Sequence, residues 1–193
     1  MKPKCKKYYR KDGSVEIEEW CLNGKCHRID GPAIVRYRKD RSVEEKNWCL
    51  NDRFHRIDGP AVIEYGKDGS VEIERWYLND KHHRTNGPAV VFYRDDGGIS
   101  EEYWFLNDKR HRVDGPAVIY YAKDGSVEEE SWYLNNEYIN PEENLISMPK
   151  TEEEKIELIN EFVFIEEDDD YIFIKDWLKR DKEFYEKYRM LIE

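Results

Sequence analysis

The sequence lacks the long apolar run of a membrane protein and the apolar leader of a secreted one. No stretch of its 193 residues approaches the roughly 20 apolar residues needed to span a bilayer. The start of the chain is basic and has no apolar segment of the kind found in a signal peptide. We therefore expect a soluble cytoplasmic protein, in which the four cysteines stay reduced.

The sequence also lacks an excess of basic residues, because its formal net charge is −11. A general nucleic-acid-binding protein needs a basic stripe to replace the counterions of the phosphate backbone. The acidic balance likewise argues against attachment to anionic lipid, which attracts basic segments. We therefore expect neither nucleic acid nor a membrane as a partner.

Aromatic residues are abundant, at 14% of the chain, with 14 Tyr and 6 Trp. Disordered acidic chains are poor in aromatics, so this chain is expected to fold. Its charge is uneven: residues 141–193 carry 17 acidic and 8 basic side chains, whereas residues 1–140 carry 26 and 24. We predict a basic N-terminal tail at 1–7, a repeat array at 8–140 and an acidic helical extension at 141–193.

Tryptophan marks a repeat of 28 residues, because it occurs at positions 20, 48, 76, 104 and 132 and is followed each time by x-Leu-Asn. A second block reads His-Arg-x-Asp-Gly-Pro-Ala at 27–33, 55–61 and 111–117, with Asn86 replacing Asp at 83–89. A third block reads Tyr-x-(Lys/Asp)-Asp-Gly at 9–13, 65–69, 93–97 and 121–125, with Arg41 replacing Gly at 37–41. Such self-similarity, with no insertion, is typical of stacked arrays.

Each repeat has the local chemistry of a β-hairpin. An extended run such as 33–38 is followed by an Asp-Gly turn and then by a second run such as 71–78. An Asn-Gly or Asn-Asp turn follows, and the proline of the next block can start a strand but not continue one. We therefore predict a mainly β fold, an open twisted antiparallel meander of about ten strands from five 28-residue β-hairpin repeats, with a C-terminal α-helical cap.

The segment after the repeats has helical signals. Thr151-x-x-Glu154 is a capping box, and apolar residues at 156, 159 and 163 follow it at helical spacing. A second helix is predicted over 174–191, with Trp177 on its apolar side. These helices either cap the exposed end of the sheet or form a docking element in which Trp177 contacts a partner.

The repeated His-Arg pairs are candidate binding residues: His27, Arg28, His55, Arg56, His83, Arg84, His111 and Arg112. Equivalent side chains would lie roughly 10 Å apart, too far to share a metal ion, so no metal or cofactor is expected. In one interpretation His bonds a neighbouring carbonyl and Arg pairs with Asp30, Asp58 or Asp114. In the alternative, the ladder binds phosphates of a small molecule or signalling nucleotide, most strongly in repeat three, where Asn86 leaves Arg84 unneutralised.

We expect no catalytic residues and no enzyme. The sequence has no Walker or dinucleotide motif, and Cys26-His27 is the only pair that suggests a nucleophile. Cys21 and Cys49 belong to a column filled in later repeats by Tyr77, Phe105 and Tyr133, so this position favours apolar bulk. An apolar column on a thin sheet needs a cover, and we include these three aromatic residues among the candidate protein-binding residues.

The unit Trp-x-Leu-Asn-(Gly/Asp)-x-x-His-Arg-x-Asp-Gly-Pro-Ala resembles the divergent MORN-type repeats of bacterial, phage and large-virus proteins, and the resemblance covers residues 8–140. It implies a twisted open sheet of successive hairpins that binds another protein or, in some members, lipid head groups. Some similar bacterial and phage proteins are antitoxins or inhibitors. The resemblance therefore implies a non-catalytic protein-binding module that blocks its partner.

Overall fold

The structure, a computed structural model, describes residues 2–113 and 115–140. This part of the chain is mainly β and contains no helix, so it has no helix that could cross a membrane. The helices predicted beyond residue 140, together with Trp177 and Asp114, lie outside the described residues.

An open antiparallel meander runs through the whole array, as the repeat pattern predicts. Ten strands, two from each repeat, form it: β1 Lys4–Tyr9, β2 Val15–Leu22, β4 Ile34–Tyr37, β5 Val43–Asn47, β8 Val62–Tyr65, β9 Val71–Arg75, β12 Val90–Tyr93, β13 Ile99–Tyr103, β16 Val118–Tyr121 and β17 Val127–Leu134. Neighbours in this list are neighbours in the sheet. The first strand begins at Lys4, so Lys4, Lys6 and Lys7 belong to the sheet.

A second set of shorter strands forms a small hairpin at one end of each repeat. Its members are β3 Lys25–Cys26, β6 Cys49–Leu50, β7 Arg53–Phe54, β10 Tyr77–Leu78, β11 Lys81–His82, β14 Phe105–Leu106, β15 Lys109–Arg110 and β18 Glu137–Ile139. Three of these hairpins are separate two-stranded sheets, whereas β3 and β18 pair with long strands of the main sheet.

The second strand predicted for each repeat is broken at its tryptophan in the three middle repeats. Strand β9 ends at Arg75 and β10 begins at Tyr77, so the predicted strand at 71–78 is two strands. The Trp76 amide donates to the Ala89 carbonyl at 2.7 Å, which is the last bond to the neighbouring repeat before Pro88. Because proline has no amide hydrogen, the ladder cannot continue past it, and the chain turns away into the short hairpin.

The two kinds of turn in each repeat have different backbone geometry. The short hairpins turn through two residues of positive φ, as at Asn51 (54°) and Asp52 (70°), which is the type I′ turn that suits a two-residue loop. In the long hairpins a glycine such as Gly69 (φ 87°) follows the turn, and the ladder shifts by one residue beside it. Asparagine and aspartate tolerate the left-handed region, which explains their place in the short turns.

Small and β-branched residues fill the interior of the array. The alanine of each Gly-Pro-Ala block is fully buried: Ala33, Ala61, Ala89 and Ala117. Val35, Val91 and Ile119 are buried along the middle of the sheet. Each alanine carbonyl accepts a hydrogen bond from the tryptophan amide of the preceding strand, so backbones approach closely where the side chain is smallest.

Arg41 is expected to destabilise its turn. It has a φ of 73°, while the equivalent positions hold Gly13, Gly69, Gly97 and Gly125. The left-handed region costs an ordinary residue roughly 1–2 kcal/mol, partly offset because glycine gains more freedom in the unfolded chain. Arg41→Gly should therefore raise the free energy of unfolding by about 0.5–1 kcal/mol in urea titrations. Gly69→Arg, the reciprocal change, should lower it, and equal effects of the same sign would contradict this explanation.

Candidate binding surface

The register of the sheet sorts its side chains onto two faces, because directly opposite residues of antiparallel strands point to the same side. One face, which we call the ring face, carries Tyr8, Ile17, Arg36, Glu45, Glu64, Ile73, Phe92, Glu101, Tyr120 and Glu129 in one row across the strands. The other, the clamp face, carries Lys7, Glu18, Val35, Lys46, Ile63, Glu74, Val91, Glu102, Ile119 and Glu130.

On the clamp face, the arginine of each His-Arg pair is held in a flat slot. The Arg28 guanidinium lies 4.2 Å from the centre of the Trp20 ring, and its Nη1 donates to the Pro32 carbonyl at 3.2 Å. On its other side lies Gly31, where an added Cβ would be 3.0 Å from the Arg28 Cζ. The glycine of the repeated block is therefore required by the thickness of the guanidinium.

The same slot recurs in repeats two to four. The guanidinium lies 4.2 Å from the Trp48 ring for Arg56, and 3.9 Å from the Trp76 and Trp104 rings for Arg84 and Arg112. Nη1 donates to the carbonyl of the following proline in each case. Cation–π contact and hydrogen bonding together give these arginines a structural role.

The acidic partners of the arginines differ between repeats. Arg28 Nε pairs with Asp30 at 2.8 Å, and Arg56 Nε pairs with Asp58 at 3.0 Å, as the first interpretation predicts. These bonds hold the pKa of both aspartates below its usual value. In repeat three the Arg84 Nε is buried and has no hydrogen-bond partner, and burial lowers the pKa of its guanidinium. A donor that is buried in this way is not presented to a ligand.

The histidines link each repeat to the next. His27 Nδ1 lies 3.0 Å from Asn51 Oδ1, and the same contact joins His55 to Asn79, His83 to Asn107 and His111 to Asn135 at 2.9 to 3.1 Å. The predicted carbonyl partner is thus a side-chain amide in the turn of the following repeat. The sequence alone indicates a turn for these asparagines and no partner in another repeat.

The second residue of each short turn adds a backbone link in the same direction. Asp52 Oδ1 accepts from the Cys26 amide at 2.7 Å, and the Asp52 amide donates to the Cys26 carbonyl at 2.9 Å. Asp80 and Asp108 make the equivalent pair of bonds with Phe54 and His82. The short hairpins are therefore stacked through side chains of their turns.

On the ring face, the short hairpins carry a row of partly exposed rings, which we call the ring row: Phe54, Tyr77, His82, Phe105, Tyr133 and Tyr138. Ring centres are 5.3 Å apart for Phe54–Tyr77, 4.3 Å for Tyr77–His82 and 5.2 Å for His82–Phe105. Arg110, opposite Phe105 in its hairpin, covers the Tyr133 ring at 5.3 Å, and Tyr133 meets Tyr138 at 5.8 Å. The row extends from repeat two to repeat five.

Only half of the ring row was predicted from the sequence. Tyr77, Phe105 and Tyr133 were predicted binding residues and lie in the row, whereas Phe54, His82 and Tyr138 were not predicted. These three occupy the return strands of the short hairpins, opposite the named column. The turn residues could have indicated them. Across a two-residue turn, the second residue before the turn pairs with the second residue after it, as Tyr77 pairs with His82.

The ring face changes character along the sheet. Repeats two and three carry ion pairs on this face, Arg36–Glu45 at 2.8 Å and Arg75–Glu64. Its later repeats carry Phe92, Tyr103 and Tyr120, with ring centres 6.0 and 6.1 Å from Tyr103. Burial and the hydrogen bond to Glu101 raise the pKa of Tyr103, so its hydroxyl stays a donor. The aromatic half of the ring face adjoins the ring row at Phe105, 6.5 Å from Tyr103.

The cysteines do not form the pair with histidine that the sequence suggested. Cys26 is buried and contacts the Cys49 thiol, whose hydrogen bond lowers the pKa of Cys26, while His27 is bonded to Asn51. Cys21 lies opposite Cys26, and all four cysteines are free thiols. Within residues 2–113 and 115–140, no group of three His, Cys, Asp or Glu side chains is placed to hold a metal ion.

The clamp face has a groove of about 640 Å³ between the loops of repeats one and two. Apolar residues (Ile29, Trp48, Leu50 and Ile57) and polar ones (Arg28, Asp30, His55, Arg56 and Asp58) line it together. Both isoleucines are among the most exposed apolar residues described. Repeat three has Thr85 at this position, so the groove belongs to the first half of the array.

No protein-family model matches this chain, and no curated protein is significantly similar to it. The resemblance to MORN-type repeats therefore depends on the repeated residues alone.

The arginine slot predicts different costs for the same substitution in two repeats. An added Cβ would lie 2.5 Å from Arg56 Cζ at Gly59 but 3.0 Å from Arg28 Cζ at Gly31. Gly59→Ala should displace the guanidinium from Trp48 and lower the free energy of unfolding by about 1–3 kcal/mol. Gly31→Ala is the matched control and should cost less. Urea unfolding followed by Trp fluorescence measures both, and an equal or reversed order would exclude the slot as the cause.

The ring row predicts a dependence on pH through His82. Burial between rings lowers the pKa of His82 below 6.5, although Asp108 partly opposes this. Between the pKa of His82 in the folded protein and 6.5, its value in the unfolded chain, the unfolded chain binds more protons than the folded one. The free energy of unfolding therefore falls as the pH falls through 6.5, and it levels off below the folded-state pKa.

His82→Phe tests this prediction, because phenylalanine already occupies the equivalent position 54. Urea unfolding at about pH 7.5 and about pH 5.5 should show a smaller loss of stability for the variant than for the wild type. Identical losses in the two proteins would remove His82 as the source.

Proposed function

We propose that the array is a non-catalytic protein-binding module that contacts its partner through the ring row. The observation that carries this proposal is the continuity of the row, which extends through four repeats on one face. Tyrosine and phenylalanine side chains are enriched in protein interfaces, because they bury a large area at little cost in conformational entropy. Tyr138, at the end of the row, is 66% exposed although it is a large aromatic residue.

The extent of the row favours a macromolecule over a small ligand. Each repeat adds two strands at about 4.8 Å, so four repeats extend over roughly 40 Å. A small molecule is normally enclosed in a concave pocket, whereas a protein partner can contact residues spread over such a distance. The row and the adjoining side chains Phe92, Tyr103 and Tyr120 supply one contiguous aromatic patch.

We further propose that the module inhibits its partner in the cytoplasm. Support comes from the MORN-like residue pattern, which resembles that of antitoxins and inhibitors, and from the net charge of −11, which suits a partner with a basic surface. Four free thiols are consistent with a reducing compartment.

The binding of phosphates to the His-Arg ladder has weaker support. Arg28 and Arg56 direct Nε to an aspartate and Nη1 to a carbonyl, and each guanidinium is covered on both sides. The Nδ1 atoms of the four histidines are used between repeats. These contacts favour a structural role for the ladder, so we place the candidate function on the ring row.

The proposal predicts that a partner contacts Tyr138. A photoreactive phenylalanine at position 138 should crosslink to one discrete protein in an extract of the native host. With that protein purified, Tyr138→Ala should weaken binding roughly tenfold or more in calorimetry, as expected for an exposed aromatic residue that becomes buried.

Ile57 provides a control, because it is an apolar residue that is 82% exposed and belongs to a loop of the clamp face, away from the ring row. Ile57→Ala should leave the affinity for that protein unchanged. Equal affinities for wild type and Tyr138→Ala would show that the ring row is not the contact. Loss of a measurable activity of the partner on binding would support inhibition, and full activity in the saturated complex would contradict it.

A further inference from the structure

The two edges of the sheet carry opposite charge. Strand β1, at one edge, contains Lys4, Lys6 and Lys7. At the other edge, no long strand follows β17 in the described part of the sheet. The first half of β17 contains three consecutive glutamates, at 128–130. Charged edge strands normally prevent edge-to-edge pairing. That protection works between edges of the same sign and fails between edges of opposite sign.

The two edges are also equivalent to partners inside the array. Strand β1 is the first strand of repeat one, as β16 is the first strand of repeat five. Strand β17 is the second strand of repeat five, as β13 is the second strand of repeat four. Inside the chain, β13 pairs with β16, with Glu102 opposite Ile119. Glu130 is equivalent to Glu102 in the next repeat, and Lys7 is equivalent to Ile119 four repeats earlier. Pairing of β1 with β17 in the same register would therefore place Lys7 opposite Glu130.

A hydrogen bond from a tyrosine to a glutamate also joins neighbouring repeats at the junctions inside the array, which we call inner junctions, and each edge of the sheet carries one of these two residue types. Tyr37, Tyr93 and Tyr121 each donate to a glutamate of the preceding repeat, at 3.2 to 3.3 Å: Glu18, Glu74 and Glu102. At the remaining inner junction Lys46 replaces the glutamate and lies over the Tyr65 ring. The first tyrosine of the series is Tyr9 and the last glutamate is Glu130, one at each edge of the sheet. Tyr9 is 60% exposed, whereas Tyr37, Tyr93 and Tyr121 are only partly exposed.

Exposed apolar side chains mark the same two edges. Tyr8 and Tyr9 lie on β1 and Val127 lies on β17, and they are 45%, 60% and 52% exposed. The equivalents of Val127 in the preceding repeats, Val43, Val71 and Ile99, are all less exposed. Both edges therefore leave apolar surface that an additional strand would cover.

We propose that β1 of a second copy of this chain pairs antiparallel with the first half of β17, beside β18, and continues the sheet from one molecule to the next. Lys7 of the added copy lies opposite Glu130, and its Tyr9 hydroxyl donates to the same carboxylate. Within one chain Lys7 already pairs with Glu18 at 2.7 Å in the same row of side chains. The contact is heterologous, so it builds open chains or rings of molecules in place of a closed dimer.

The short hairpins limit the strength of this contact. Inner junctions use an aspartate in the turn and a histidine in the preceding repeat, but the first turn has Gly24 in the aspartate position and the last repeat has Ile139 in the histidine position. A junction between two copies therefore has the strand pairing without these side-chain links. We expect weak association that depends on concentration and on ionic strength.

The test uses the full chain in sedimentation velocity over a range of concentrations at low and high salt. Wild type should form species larger than a monomer at low salt and dissociate as salt screens the edges. A first variant, K4E/K6E, makes β1 acidic but keeps Lys7, which pairs with Glu18. A second variant, E128K/E129K/E130K, makes the edge of β17 basic.

Each variant alone carries two edges of the same sign and should associate at least tenfold more weakly, since opposed charges in a sheet attract and like charges repel. A mixture of the two variants restores the wild-type junction between β1 of the second variant and β17 of the first, so association should recover as far as heterodimers. The other mixed junction places Lys7 opposite the lysine introduced at position 130 and should stay weak. Circular dichroism of both variants controls for folding. If either variant unfolds, amide hydrogen exchange of the wild type decides, because protection at 4–9 and 127–131 should rise together with concentration.

A wild type that stays monomeric at low salt at every concentration would overturn the proposal. So would association that does not depend on salt, or variants that associate as well as the wild type. This test is independent of the proposed partner, because Tyr138 and the ring row are unchanged in both variants.

Discussion

The array depends on hydrogen bonds that the short turn of repeats two to five, Asn-Asp or Asn-Asn, makes to the repeat before it. A two-residue turn needs positive φ at both positions, and asparagine and aspartate are the side-chain-bearing residues that tolerate it best. The same side chains then accept bonds from His27 Nδ1 and from the Cys26 amide, at Asn51 and Asp52. One dipeptide therefore closes a hairpin and sets the register between repeats, which explains why the turn and the histidine recur together.

This link leaves the two faces of the array free for different tasks. On the clamp face, tryptophan, arginine and glycine form a slot, and Nη1 of each arginine donates to the carbonyl of the following proline and fixes the loop. The residue after each tryptophan points to the ring face. It is Cys21 or Cys49 in the first two repeats and Tyr77, Phe105 or Tyr133 in the later three. The skeleton is therefore constant while the composition of one face changes, a property that repeat proteins use to vary their binding surfaces.

Much of the fold could be predicted from the sequence, because a fixed period and strong turn residues are local signals. The meander and its two strands per repeat were expected from Asp-Gly, Asn-Asp and proline positions. The break at the tryptophan of the three middle repeats was not expected, since the residues 71–78 have the pattern of one continuous strand. The ring row was half predicted, because the positions of Phe54 and His82 depend on pairing across the short turn and not on period.

The sequence by itself determined the repeat, the turn types and the pairing of Arg28 with Asp30, since these depend on residues close together in the chain. Only the tertiary structure decided that Asn51 receives His27, that Gly31 makes room for a guanidinium, and that β1 and β17 end the sheet with opposite charge. The first of these features joins residues 24 positions apart, and the third compares the two ends of the array, so both depend on the stacking of repeats. The second joins residues close in the chain, but it depends on how the loop folds against Trp20, which the residue pattern does not show.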